Sequence, residues 1–148
     1  MRLLMLVTAA LAGCASVPGA TGLSRSEVVN RVWTLRTLQG ERLSGQRIAT
    51  LRLDYDGAVT GTLACNTLGP SKLRWTRLPP GSHGTIDTGG AGAGIITTAK
   101  CGNTSAVRTA DRFWQLMNTA KTWSLEHGGL RVTFADNTDA YLVLTSPV

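Results

Sequence analysis

Short runs of alternating apolar and polar residues, each stopped by a turn signal, constrain this chain more than any other feature. Val32-Trp33-Thr34-Leu35-Arg36-Thr37-Leu38 places Trp33 and Leu35 on one face. Beyond a polar turn bracketed by Gly40 and Gly45, Ile48, Leu51, Leu53 and Tyr55 predict a second strand. Asp56-Gly57 follows, and both residue types tolerate the positive φ of a tight hairpin. Val59, Gly61 and Leu63 then lead back towards Cys65. The C-terminal third repeats the pattern. Thr122 to Glu126 turns at His127-Gly128-Gly129 into Leu130, Val132 and Phe134, and Asp136-Asn137-Thr138-Asp139 turns into Ala140, Leu142 and Leu144. A period of two buries one face of a strand, so these segments predict antiparallel hairpins.

The middle of the chain is less regular. Lys72 to Leu78 predicts a further strand closed by Pro79-Pro80-Gly81. Gly81 to Gly94 is dominated by Gly, Ser, Thr and Ala and reads as a long hairpin loop with weak strand character at Thr85-Ile86-Asp87. The β-branched run from Ile95 to Cys101 predicts a buried strand. One helix is expected, capped by Thr104 or Ser105, with Val107, Ala110, Phe113, Trp114, Met117 and Ala120 at helical spacing. Trp33, Trp114 and Trp123 read as core, and Trp75 as a candidate for exposure. The expected fold class is α+β, mainly an antiparallel β-sheet domain with one α-helix late in the chain. A chain of 148 residues holds one such domain with a core of its own. Its 43% hydrophobic content excludes a disordered chain.

The first residues differ in kind. Met1-Arg2 is followed by an apolar run from Leu3 to Ala12, too short for a transmembrane helix but the right length for a secretory signal. Leu11-Ala12-Gly13-Cys14 resembles the bacterial lipobox. That resemblance implies cleavage before Cys14 and lipid attachment at Cys14, whose sulfur is the nucleophile that carries the glyceride. The organisation that follows is a lipoprotein signal peptide at 1–13, a flexible tether at 14–26 and a folded domain at 27–148. Two or three acyl chains give stable anchoring, so the expected partner is the membrane. Ser16 rather than aspartate at the second mature position points to the outer membrane, with the domain facing the periplasm. The net charge of +6 is spread over scattered arginines that read as solvated faces. No nucleic-acid partner is expected for an exported protein, and a monomer is expected.

The order of elements resembles the META (HslJ-like) domain family. Val32-Trp33-Thr34-Leu35 running to Gly40 comes first, then Asp56-Gly57-Ala58-Val59-Thr60-Gly61 and Ala64-Cys65-Asn66-Thr67. Thr97-Thr98-Ala99-Lys100-Cys101 and the helix with Phe113 and Leu116 follow, and Trp123-Ser124-Leu125 leads to Gly129-Leu130-Arg131-Val132. Two departures stand out. Ala64 occupies a position where the family usually has glycine, and Leu68 to Gly94 is longer than the family's corresponding stretch. The resemblance implies a small envelope protein linked to heat shock or stress and to antibiotic tolerance, with no enzymatic activity.

Few residues suggest chemistry. Once Cys14 is lipidated, Cys65 and Cys101 form an even pair in an oxidising compartment, which predicts a disulfide; two separate buried thiols are the alternative. A redox-active pair is not expected, because the chain has no Cys-x-x-Cys. His83 and His127 fall in predicted loops without ligand spacing, so neither a metal nor a cofactor is expected. Asp54 and Asp56 flank a turn and read as solvated carboxylates. Asn66 reads as a turn amide. Gly89 to Gly94 is not followed by Lys-Ser or Lys-Thr and reads as a flexible hairpin rather than a phosphate loop. The expected function is therefore a non-enzymatic, lipid-anchored envelope domain. A protein-binding module is the alternative, such as an inhibitor of a hydrolase reaching the envelope, with Arg74 or Arg77 at the contact.

Overall fold

The computed structural model describes residues 28–44, 48–68, 72–78, 81–89, 101–102 and 104–145. Among the described residues, ten strands and one helix carry the fold: β1 (Val32–Leu38), β2 (Glu41–Arg42), β3 (Ala49–Leu53), β4 (Val59–Leu63), β5 (Asn66–Leu68), β6 (Arg74–Trp75), β7 (His83–Asp87), α1 (Ser105–Met117), β8 (Ala120–Glu126), β9 (Gly129–Phe134) and β10 (Asp139–Leu144). The strands run in the order β5-β4-β3-β1-β10-β9-β8-β7-β6, with the short β2 beside β1. Every strand pair is antiparallel. The α+β class expected from the sequence is what the chain forms.

The hairpins form where the turn residues allow them. In the β3–β4 turn Gly57 has φ +88, and the Asp56 carboxylate accepts the Ala58 N–H at 2.9 Å. His127 and Gly128 both take positive φ between β8 and β9, as does Asn137 between β9 and β10. Register is set by parity, and two bulges correct it. Trp33 and Leu35 share a face by simple alternation, but Leu38 is also buried and lies an odd step further on. A bulge between Leu35 and Thr37 absorbs the extra residue. A second bulge between Ala120 and Thr122 does the same for Ala120 and Trp123.

One core cluster gathers the inward side chains of β1, β3, β4, β8, β9 and β10 with Ala110, Phe113, Trp114 and Met117 of α1. Thr104 caps the helix by accepting the Val107 N–H, and the helix stops where Asn118 and Thr119 bond back to Gln115 and Leu116. Ala120, expected as the last helical position, is instead the first residue of β8. On other faces threonine replaces aliphatic residues in rows. Thr34, Thr50, Thr62 and Thr67 stand in register across four strands, and the Thr50 and Thr62 hydroxyls bond at 2.8 Å. Such cross-strand pairs stabilise a sheet with a β-branched residue that remains polar.

The sheet curls until its far strand meets the β3–β4 hairpin. Arg74 of β6 bridges to Ala58, and the Trp75 N–H donates to Gly57 O at 2.9 Å. Indole groups reinforce this closure. Trp75 Nε1 donates to Asp54 O at 2.8 Å, Trp123 Nε1 to Thr76 O at 2.7 Å and Trp114 Nε1 to Thr62 O at 2.9 Å. Two glycines make room for the rings. A Cβ on Gly61 would strike the Thr50 carbonyl and lie 2.7 Å from the Trp114 ring. One on Gly84 would strike the Thr76 carbonyl and lie 2.5 Å from the Trp123 indole nitrogen.

Further expectations change. Trp75 is buried, because its ring packs edge-on against Trp123 at 5.8 Å and its N–H has a carbonyl partner. Tyr55 is not a strand residue; β3 ends at Leu53 and Tyr55 is 65% exposed in the turn. The strand expected over Lys72 to Leu78 shrinks to Arg74–Trp75 with a single bridge from Leu78 to His83. His83, expected in a loop, opens β7. The strand expected over Ile95 to Cys101 lies, apart from Cys101, outside the described residues, as do the signal peptide, Cys14 and the tether.

Gly61→Val should lower stability by about 3 kcal/mol or more in urea unfolding, since neither the carbonyl nor the indole can move aside. A second prediction concerns the β9–β10 turn. There the Thr138 hydroxyl and N–H donate to the Asp136 carboxylate at 2.7 and 3.0 Å, and Gln39 reaches it from the turn after β1. These bonds hold the Asp136 carboxyl below its ordinary value of 3.8, the Thr138 hydroxyl foremost. A lowered folded-state value means the interaction contributes above the ordinary value and is lost as pH falls through the lowered one. NMR titration should give Asp136 a midpoint below 3.8, and Thr138→Val should raise it.

Candidate functional site

The closure of the sheet leaves an open cleft of about 400 Å³ between the β3–β4 turn and β6, lined by Tyr55, Asp56, Gly57, Trp75, Thr76 and Arg77. Local geometry fixes its walls. The Tyr55 N–H donates to Asn30 Oδ1 at 3.2 Å, which holds the turn, while the phenol ring stays exposed. Arg77 Nε donates to Gly81 O at 2.9 Å, and Gly81, with φ +107, leaves the space that the guanidinium fills. The Thr76 hydroxyl is bonded to that of Thr85 at 2.5 Å. The lining thus offers an aromatic face, a carboxylate and a guanidinium.

Nearby carboxylates are engaged in structure. Asp54 accepts the Thr60 hydroxyl at 2.7 Å and pairs with Arg52 at 2.5 Å. Asp54 and Asp56 therefore each hold the hairpin through separate partners. On the far side of the sheet, Arg131 ties three strands: its Nη1 reaches Asp139 at 2.6 Å and its Nε lies 2.9 Å from Glu126, facing it as an ion pair off the line of a hydrogen bond. Arg36, Arg42, Arg74 and Arg108 are exposed and dispersed, as solvated faces should be. Arg74 does not line the cleft; Arg77 does.

Cys65 and Cys101 form the second feature. Their Cα atoms are 5.5 Å apart and their sulfurs at bonding distance. Cys65 lies in the β4–β5 turn and Cys101 shortly before α1, so the bond ties a sheet corner to the start of the helix. In the chain-entropy estimate, closing a 36-residue separation contributes about 3–4 kcal/mol. The Cys65 N–H and the Asn66 side-chain amide both donate to Cys101 Sγ, at 3.3 and 3.4 Å. Asn66, expected as a turn amide, instead opens β5, and its side-chain amide serves the sulfur. Just before it, Ala64 sits at φ +50, a left-handed conformation that explains a glycine preference at this point.

Sequence reasoning picked out Arg77 and the two cysteines but missed Tyr55, because the alternation of Leu51 and Leu53 carried it into the predicted strand. The signal lay one residue on: Asp56-Gly57 already required a turn whose flanking residue leaves the sheet. His127 lies in the β8–β9 turn, and of the glycine stretch only Gly89 is described, its N–H bonded to Asp87 at 2.9 Å.

Comparison with known families gives one finding: the META domain model matches residues 26–146. No curated protein and no solved structure matches the chain.

Ala64→Gly should stabilise the domain by about 0.5 kcal/mol in denaturant unfolding. It relieves a left-handed strain of about 1–2 kcal/mol and adds a smaller unfolded-state entropy cost.

Proposed function

The chain belongs to the META domain family, and from that premise we propose that it is a lipid-anchored domain of the bacterial cell envelope that acts by binding rather than catalysis. The observation that carries this reading is the lipobox Leu11-Ala12-Gly13-Cys14 followed, one tether later, by a domain with two cysteines at disulfide distance. Thioether acylation at Cys14 fixes the chain to a membrane, and a structural disulfide suits an oxidising compartment outside the cytoplasm. Ser16 supports the outer membrane, with the domain facing the periplasm. Family resemblance supports a role in envelope stress, heat shock and antibiotic tolerance.

The alternative, a protein-binding module such as an inhibitor of an envelope-acting hydrolase, draws support from the cleft. An exposed tyrosine beside a carboxylate and a guanidinium is the composition of a recognition surface rather than of a reaction centre.

Radiolabelled palmitate should enter the wild-type protein and be absent from Cys14→Ser. A deletion strain should gain sensitivity to heat and to hydrophobic antibiotics, restored by the wild-type gene but not by Cys14→Ser. Unlabelled wild-type protein would overturn the anchor, and unchanged sensitivity the stress role.

A further inference from the structure

The cleft between the β3–β4 turn and β6 carries one charge of each sign, and the two are not paired with each other. Asp56 is exposed, and its carboxylate accepts the Ala58 N–H at 2.9 Å. It belongs to none of the ion pairs among the described residues, which join Arg52 to Asp54 and Arg131 to Glu126 and Asp139. A carboxylate has about four lone-pair sites, so one backbone donor leaves it able to take a further partner. The other charge is the half-buried Arg77, fixed by its Nε–H on Gly81 O, with Nε and Nη2 the guanidinium atoms nearest Gly81. A guanidinium carries five N–H donors in a rigid fork, and one bond at Nε fixes the plane of that fork. The same walls present the exposed ring of Tyr55 and the ring of Trp75, which its N–H bond to Asp54 O holds in place.

These features decide the class of occupant. A ligand that covers the cleft takes water from both charged groups, and a charge left without a partner is costly to desolvate. An uncharged ligand would leave both groups unanswered. An anion would answer Arg77 but meet Asp56, and a cation would do the reverse. A ligand with one charge of each sign answers both. A carboxylate suits the planar fork of Arg77, and an ammonium suits a carboxylate beside an aromatic ring. The apolar body of such a ligand would lie against Tyr55 and Trp75. At about 400 Å³ the cleft is near the lower end of the roughly 300–1,000 Å³ typical of small-molecule sites, so its occupant is small. We propose that the cleft binds a dipeptide-sized zwitterion, its ammonium on Asp56 and its carboxylate on Arg77. This inference rests on the reading of the domain as one that acts by binding, and it names the ligand class of that site.

The test is an NMR titration of the purified full-length protein with alanyl-leucine, read at the Gly57 amide and the Trp75 indole N–H. Both should shift saturably, while the Trp114 indole, which does not line the cleft, should stay in place. Acetylating the dipeptide's amine or amidating its carboxylate should each weaken binding at least about tenfold, the loss of one charge-assisted contact. Asp56→Asn keeps an oxygen for the Ala58 N–H and should weaken alanyl-leucine at least about tenfold without changing the affinity for the acetylated dipeptide. Arg77→Gln should act in the same way against the carboxylate, sparing the amidated dipeptide. No saturable shift with alanyl-leucine, a block at either end without effect, or tighter binding of phosphoethanolamine would each overturn the proposal. The blocked-ligand series uses the wild-type chain, so the outcome does not rest on a variant that fails to fold. Palmitate labelling and the deletion strain are read separately, so loss of the ligand class and loss of the anchored envelope role are told apart.

Discussion

A buried indole must find a partner for its N–H, and that requirement shapes the domain. Three tryptophans meet it by reaching a backbone carbonyl on a distant element. Trp75 bonds to the β3–β4 turn, Trp114 fixes the helix to β4, and Trp123 links β8 to the chain after β6. Each bond joins parts of the chain that the strand ladder alone leaves apart. Gly61 and Gly84 follow from the same requirement, because a side chain at either would occupy the space of an indole or of a neighbouring carbonyl. The curled sheet, the seat of the helix and the cleft beside Trp75 all rest on these contacts.

Much of the fold was legible in the sequence where alternation and turn chemistry agree. β1, β4 and the C-terminal meander were read from that agreement, and Thr104 from capping chemistry. Failures came where one local pattern competed with another. Tyr55 continued an apolar alternation but stood beside Asp-Gly, and the turn won. Ala120 continued a helical period, but Asn118 and Thr119 closed the helix by bonding back to Gln115 and Leu116. Trp75 lay among arginines and prolines with no periodic neighbours, so nothing local announced its burial; contacts with Trp123 and Asp54, distant in sequence, decide it. The short β2 and β5 carry no pattern of their own and exist because a longer neighbour offers them a ladder. The two bulges were invisible because a sequence shows parity only as an irregularity.

Of the candidate site, the cysteines were legible and the donors around Cys101 Sγ were not. An even pair of cysteines predicts that Cys65 and Cys101 bond, but only the turn at Ala64 shows how Asn66 is brought to face the second sulfur. The family pattern expects glycine at position 64, and φ +50 there gives the physical reason. Alanine accepts strain that glycine would avoid, in order to make the same corner.

The strand order has a consequence for how the chain is made. β1 and β10 lie side by side in the middle of the sheet, and the Thr34 and Thr145 hydroxyls that meet across this seam are 111 residues apart. On one side of the seam stand strands made early, on the other the strands of the second half, and neither half has a complete neighbour until β10 arrives. Long-range pairing of this kind is slow to form, because closure entropy must be met before contacts reward it. A growing chain therefore holds two unjoined groups of strands until β10 has been made.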